Sequence, residues 1–263
     1  MTVAFLGTKG GTGTTTMAVN IGAEIRRVTG RATALVDLKP APGDVALFLG
    51  LRPRQTLAHV LDRMACYDPG LLRGFMSPHT CGVDVLAAGE EWGRPRSDDA
   101  DGVEATVQGL RSIYDFIVLD TGSTLTASTA LALQAADAVV LVANPDVPCL
   151  RNLQRLIDAV RLGGVSGDRL HILLNRASDY GAVSVAQIGD VLGVPIDWSV
   201  PSDYRTVAAA VTSGLPVRSL RAASELQHHL EGVARSLVGE GAVGSWSPSA
   251  AIVAPREDSG ASQ

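Results

Sequence analysis

The stretch GTKGGTGTTTMAVN, Gly7 to Asn20, decides the fold. It follows an apolar segment, TVAFLG (Thr2–Gly7), and leads into a helical pattern over Thr15–Val28. A strand that runs through glycines into a helix leaves the backbone N–H groups of the first helical turn free, and the helix dipole adds positive potential there. That is what an anion needs. Gly10, Gly11 and Gly13 permit backbone angles closed to other residues, so the chain can approach phosphate oxygens. Lys9, Thr12, Thr14 and Thr16 complete the candidate phosphate loop, and Thr15 stands where a hydroxyl would meet magnesium. The strict pattern G-x-x-x-x-G-K-[ST] is broken at Thr8 and at Thr14, the second being the usual lysine position. A glycine-rich turn with no phosphate role is the alternative reading.

Outward from this stretch, continuous Val/Ile/Leu/Ala runs read as buried strands: Ala32–Asp37, Asp115–Asp120, Ala138–Ala143 and Arg169–Asn175, with weaker candidates near Val83 and Ile196. Non-alternating runs of this kind suit a parallel sheet covered on both faces. Helical patterns fall between them at Thr56–Arg63, Pro69–Phe75, Val103–Ile113, Leu150–Val160, Ser184–Leu192, Tyr204–Ser213 and about Ala222–Val238. Strand and helix alternate, so an α/β class with right-handed crossovers is expected. Residues 1–238 form the expected domain. Residues 239–263, rich in Gly, Ser, Pro and Ala, read as a flexible tail.

The 263 residues are 46% hydrophobic but only 4% aromatic, so the core must be Ala, Val and Leu. A net charge of −5 disfavours DNA as a partner without excluding a local patch, to which Arg218 and Arg221 could contribute. Cys66, Cys81 and Cys149 form no metal or redox spacing, and Met1 meets an apolar strand without a basic leader. A reduced, cytoplasmic setting without membrane insertion is the expectation. Only two lysines, Lys9 and Lys39, stand among twenty arginines.

KGGTGTTT followed by MAVNIGAEI resembles the deviant phosphate loop of the ParA/MinD superfamily, K-G-G-x-G-K-[ST]-T followed by x-x-x-N-[LI]-[GA]. ALVDLKPAPGDVALFLGLRPRQTLAHVLD, GVDVLAA, YDFIVLDTGSTL and NPDVPCLRNLQRL together look like its CpaE/TadZ branch, the localisation proteins of Flp (tight adherence) pili. The resemblance implies a three-layer P-loop NTPase fold, a mostly parallel sheet flanked by helices on both faces. It also implies ATP and magnesium as cofactors, a nucleotide-linked homodimer, a polar or pilus-machinery protein partner, and recruitment to a bacterial pole or septum.

By the same resemblance Lys9 is the lysine that reaches toward a partner subunit's phosphates. Asp120 is the strand-end carboxylate that holds magnesium through water, although a strand-end aspartate can also simply cap a turn. Asp37 is the first aspartate of a switch region. Asn175, with Arg176 beside it and Pro201 in the VPSDYR turn, belongs to the base site; an asparagine ending a strand is as often a turn former. Lys39 occupies the place of the family's second switch aspartate, which orients the attacking water. A cation cannot do that work, so weak or absent hydrolysis is expected. With the loop lysine also missing, Lys39 could return positive charge to the phosphates, or be a solvated loop residue.

Overall fold

The computed structural model describes residues 1–39, 42–62, 68–89, 99–177, 185–220 and 224–239. Arg63, Cys66, Ser184, Arg221, Ala222 and the tail from residue 240, all part of the reading above, lie outside the described residues.

Eight strands form one sheet: β1 (Thr2–Gly7), β2 (Thr33–Asp37), β3 (Ser77–Pro78), β4 (Asp84–Leu86), β5 (Phe116–Asp120), β6 (Ala138–Ala143), β7 (Leu170–Ala177) and β8 (Trp198–Pro201). Their order is β3-β4-β2-β5-β1-β6-β7-β8, and every pairing is parallel except β3 with β4. The helices are α1 (Thr14–Thr29), α2 (Val45–Phe48), α3 (Leu57–Asp62), α4 (Pro69–Phe75), α5 (Ala100–Arg111), α6 (Ala127–Ala135), α7 (Val147–Leu162), α8 (Val185–Leu192), α9 (Tyr204–Ser213) and α10 (Glu225–Leu237). The α/β architecture expected from the sequence is therefore present, a mostly parallel sheet flanked by helices.

The central strands β1, β2, β5 and β6 are buried along their whole length. Alternate residues of one strand therefore enter different cores. Ala4 and Leu6 of β1 pack with α5, α6 and α7, whereas Val3 and Phe5 pack with α1 and α10. This two-sided burial is why the strands read as unbroken apolar runs rather than alternating ones. Among the described residues no helix is long and apolar enough to cross a membrane.

Two helices and one strand escaped the sequence reading. Helix α6, ASTALALQA, is apolar on nearly all sides and shows no stripe. Helix α2 has only four residues. Strand β3 is two residues long and ends in a proline, which is tolerated on a sheet edge.

One asparagine of the opening stretch has a structural task. Asn20, on α1, is buried; its amide nitrogen donates to Thr16 O, and its Oδ1 accepts from Val217 N at 2.7 Å. Gln227 of α10 donates to Val217 O at 2.9 Å. Both backbone groups of one buried turn residue are thus satisfied by side chains from two helices, which pins the turn between α1 and α10. Replacing Asn20 by Ala leaves the Val217 N–H buried and unpaired, a cost of about 1–3 kcal/mol. Urea denaturation of N20A should show a lower midpoint with an unchanged slope.

Candidate functional site

The parallel register brings the carboxyl ends of β1, β2, β5 and β6 to one rim. The glycine loop leaves β1 there. Gly11 and Gly13 hold φ of 83° and 90°, in the left-handed region, and Gly13 is the N-cap of α1. A Cβ on Gly10 or Gly11 would meet no atom within 4 Å, so the outer side of the loop is open space. The inner side is closed. Thr12 Oγ1 donates to Lys9 O at 3.0 Å and lies 3.2 Å from Thr14 Oγ1. A Cβ on Gly7 would come within 2.2 Å of Thr14 Oγ1. The Thr14 side chain therefore folds back onto the root of the loop, and only its backbone serves the open side. Thr16, the third residue of α1, borders the neighbouring cleft.

Thr15 and Asp120, read from sequence as a magnesium pair, are in contact: Thr15 Oγ1 donates to Asp120 Oδ2 at 2.6 Å. Gly122 N donates to Asp120 Oδ1 at 3.1 Å. Asp37 is the register partner of Asp120 on β2, and both are buried. The Asp37 oxygens accept from Lys39 N and Val45 N, each at 3.1 Å. Burial pushes the Asp37 carboxyl up to about 7, helped by the neighbouring charge of Asp120. Burial also raises Asp120; the Thr15 hydroxyl, the Gly122 N–H and the Lys39 charge work against it. Two carboxylates held side by side in a low-dielectric rim are short of positive charge, which a divalent cation would supply.

The two lysines flank this rim, each on a carboxylate the sequence reading passed over. Lys9 Nζ lies 3.3 Å from Asp146 Oδ1, and the pairing raises the lysine above its ordinary value. Asp146 also caps α7 by accepting from Cys149 N at 2.9 Å, the role that an Asp just before a helix signals in sequence. The Lys39 ammonium pairs with Asp44, at the start of α2. Nothing local marks Asp44 as its partner.

Asn175, expected in the base site, hydrogen-bonds to the loop and to its own chain neighbour. Its amide nitrogen donates to Thr12 O at 2.7 Å and its Oδ1 accepts from Arg176 N at 2.9 Å. It braces the glycine loop from below, and a Cβ on Gly13 would collide with it at 2.3 Å. Arg176 has a φ of 57°, the only positive value outside glycine among the described residues, where the β7–β8 ladder slips register. Such a conformation costs of order 1–3 kcal/mol and persists only under constraint. Asn175, Arg176 and Pro201 line a narrow cleft of about 60 Å³ with Gly13, Thr16 and Tyr204. The expected base residues and the loop thus share one cleft. Arg218, assigned to a basic patch, instead holds the buried Glu24 at 2.8 Å and also pairs with Glu231.

No family model matches the chain. It is 25% identical over 239 residues to an uncharacterized ATP-binding protein of Methanocaldococcus jannaschii, covering 90% of this chain and 87% of that one. The fold superposes on a ParA family ATPase from Chlorobium tepidum with a TM-score of 0.83 at 23% identity, covering 89% and 98% of the two chains. It superposes on the septum site-determining protein MinD of Pyrococcus horikoshii, solved with Mg-ADP, with a TM-score of 0.76 at 22% identity, covering 90% and 96%.

The carboxylate pair has a pH signature. The folded chain keeps a proton on Asp37 that the unfolded chain releases near the ordinary value of 3.8. Stability contributed here is therefore full below about pH 4, falls as pH rises to about 7, and is level above that. Carboxyl-carbon NMR should place the Asp37 midpoint near 7. In Asp120→Asn the midpoint should drop yet stay above 3.8, because burial is the larger cause.

Proposed function

We propose that this chain, whose sequence and fold support its place in the ParA/MinD superfamily of ATPases, is a nucleotide-dependent positioning protein of CpaE/TadZ type. ATP with magnesium stabilises a homodimer, and the dimer is recruited with a polar or pilus-machinery partner in the cytoplasm. Binding is the function, and hydrolysis is slow or absent.

The observation that carries this reading is the open side of the glycine loop at the N-terminus of α1, where Thr15 is one hydrogen bond from Asp120. The residues fit the cofactor. Backbone N–H groups from Gly10 to Thr16 would hold the phosphates, and Thr15 with Asp120 would hold magnesium, directly and through water. When bound, the metal supplies charge neutralisation to the phosphates and to the two carboxylates. Pro201 and Arg176 would border the base. Thr8 Oγ1, at the start of the loop, and Asn144 Oδ1, just past β6, have no hydrogen-bond partner among the described residues, nor has Gln55 Oε1 elsewhere, and orphans of this kind are expected where a ligand or ordered water completes the set.

Slow turnover follows from position 39. The residue two beyond Asp37 is an ammonium, which cannot orient water as a carboxylate does. Loss of the loop lysine at Thr14 costs one charged hydrogen bond, about 1.5–3 kcal/mol, or roughly ten- to a hundredfold in affinity. Binding in the micromolar-to-millimolar range remains within reach of cellular ATP.

Sedimentation velocity with and without ATP and magnesium tests the reading: a nucleotide-dependent shift from monomer to dimer is expected. At a hundred times its Kd, ATP should stabilise the fold by about 2.7 kcal/mol. No calorimetric heat and no rise in Tm at millimolar nucleotide would select a nucleotide-free scaffold instead. Thr15→Ala should reduce ATP affinity in magnesium to the value measured in EDTA, and leave the EDTA value unchanged.

A further inference from the structure

Lys39 is the residue whose place in the fold says most beyond this reading. Its stem lies along the turn after β5: a Cβ on Gly122 would touch Lys39 Cγ at 3.1 Å and Cβ and Cδ at 3.6 Å. Gly122 O in turn accepts from Gly7 N at 2.8 Å. Gly7 is also the residue against which the Thr14 hydroxyl is folded. Lys39, Gly122, Gly7 and Thr14 are therefore consecutive neighbours across the rim, although 25 residues separate Lys39 from Thr14 in sequence. Gly122, against which the Lys39 stem lies, also donates its N–H to Asp120, which touches Thr15 at the mouth of the loop.

The ammonium is about one-third exposed and rests on Asp44, itself more than one-third exposed. An ion pair this wet contributes little, so a more highly charged anion can take the ammonium from it. A lysine on a flexible four-carbon stem suits such an exchange. Asp37 accepts from Lys39 N and from Val45 N, which anchors the Lys39 backbone while its side chain makes the exchange.

We infer that Lys39 is a phosphate-contacting residue, supplying from the turn after β2 the cation that Thr14 withholds from the loop, with Asp44 as its resting partner. The inference rests on the nucleotide reading above and specifies how the polyphosphate is neutralised. It also assigns Asp44 a role: a competitor that makes the engaged state of Lys39 conditional on a triphosphate or diphosphate. Adenosine, with no phosphate, gains nothing from Lys39.

Isothermal titration with ATP and with adenosine tests this. Lys39→Met keeps the stem against Gly122 and removes only the charge. ATP affinity should fall ten- to a hundredfold and adenosine affinity should not change. Asp44→Asn should tighten ATP severalfold by releasing the ammonium. In the Lys39→Met background, Thr14→Lys should recover most of the lost ATP affinity, because the two lysines serve the same phosphates. Equal ATP affinity in wild type and Lys39→Met overturns the inference and leaves the nucleotide reading intact. Weaker ATP binding in Asp44→Asn overturns it as well, independently of how Lys39→Met behaves. Failure of the wild-type protein to bind any nucleotide removes the nucleotide reading, and this inference with it.

Discussion

A single backbone hydrogen bond, from Gly7 N to Gly122 O at 2.8 Å, joins the two loops on which the site is built. One loop is the glycine turn leaving β1, the other the turn leaving β5. Parallel pairing of β1 with β5 brings the strand ends level, with Phe5 opposite Asp120, and this bond carries the ladder past the strand ends into the loops. It leaves no room for a side chain at Gly7, where Thr12 and Thr14 hydroxyls already crowd the position. With the two roots fixed, Thr15 can meet Asp120, and the first turn of α1 keeps its free N–H groups aimed at one volume. A loop that slipped by one residue would lose both.

The electrostatics of the rim follow from how few cations are near it. Asp37, Asp120, Asp44 and Asp146 all stand at carboxyl ends of strands or starts of helices, facing Lys9 and Lys39. The buried pair, Asp37 and Asp120, is satisfied mainly by N–H and O–H donors, and the exposed pair, Asp44 and Asp146, by the two ammoniums. Burial makes the inner carboxylates costly to ionise, and exposure makes the outer ion pairs cheap to exchange. The rim therefore separates a fixed acidic centre from movable cations. Helix α10 and Arg218 belong to a different arrangement, in which Glu24 is neutralised for packing and takes no part at the rim.

The sequence shows the frame and the inner site clearly because both are set by local pattern. A strand with both faces buried reads as a continuous apolar run, and an aspartate closing such a run marks the carboxyl rim. Thr15, Asp37 and Asp120 were legible for that reason. Helix α6 was not, since a helix apolar on all sides has no stripe, and α2 was too short to have a period. The partner of Lys9 depends on a contact across the rim, 137 residues apart for Lys9 and Asp146, that no local pattern encodes, and the five-residue spacing of Lys39 and Asp44 is not a helical or strand period. Asn175 was legible as a strand-end polar residue near the loop. Its brace on Thr12 O was not, because the direction of an amide is decided by what packs above it.

Helix α9 connects the cleft to the segment that carries Lys39. Its N-terminal Tyr204 and Val207 line the cleft beside Pro201. Its C-cap, Gly214, sits so close to Gly50, just past α2, that a Cβ on Gly214 would lie 2.8 Å from Gly50 Cα. Both glycines hold left-handed φ, 63° and 58°, so neither position admits an ordinary side chain without strain. His79 Nε2 lies 3.0 Å from the same Gly214 carbonyl and ties it to the β3–β4 turn. The end of α9 thus rests on the end of α2, whose first residue, Val45, donates its N–H to Asp37 and whose N-cap is Asp44, the partner of Lys39. The cleft beside Pro201 and the acidic rim therefore share two structural links, this glycine contact and the loop between them.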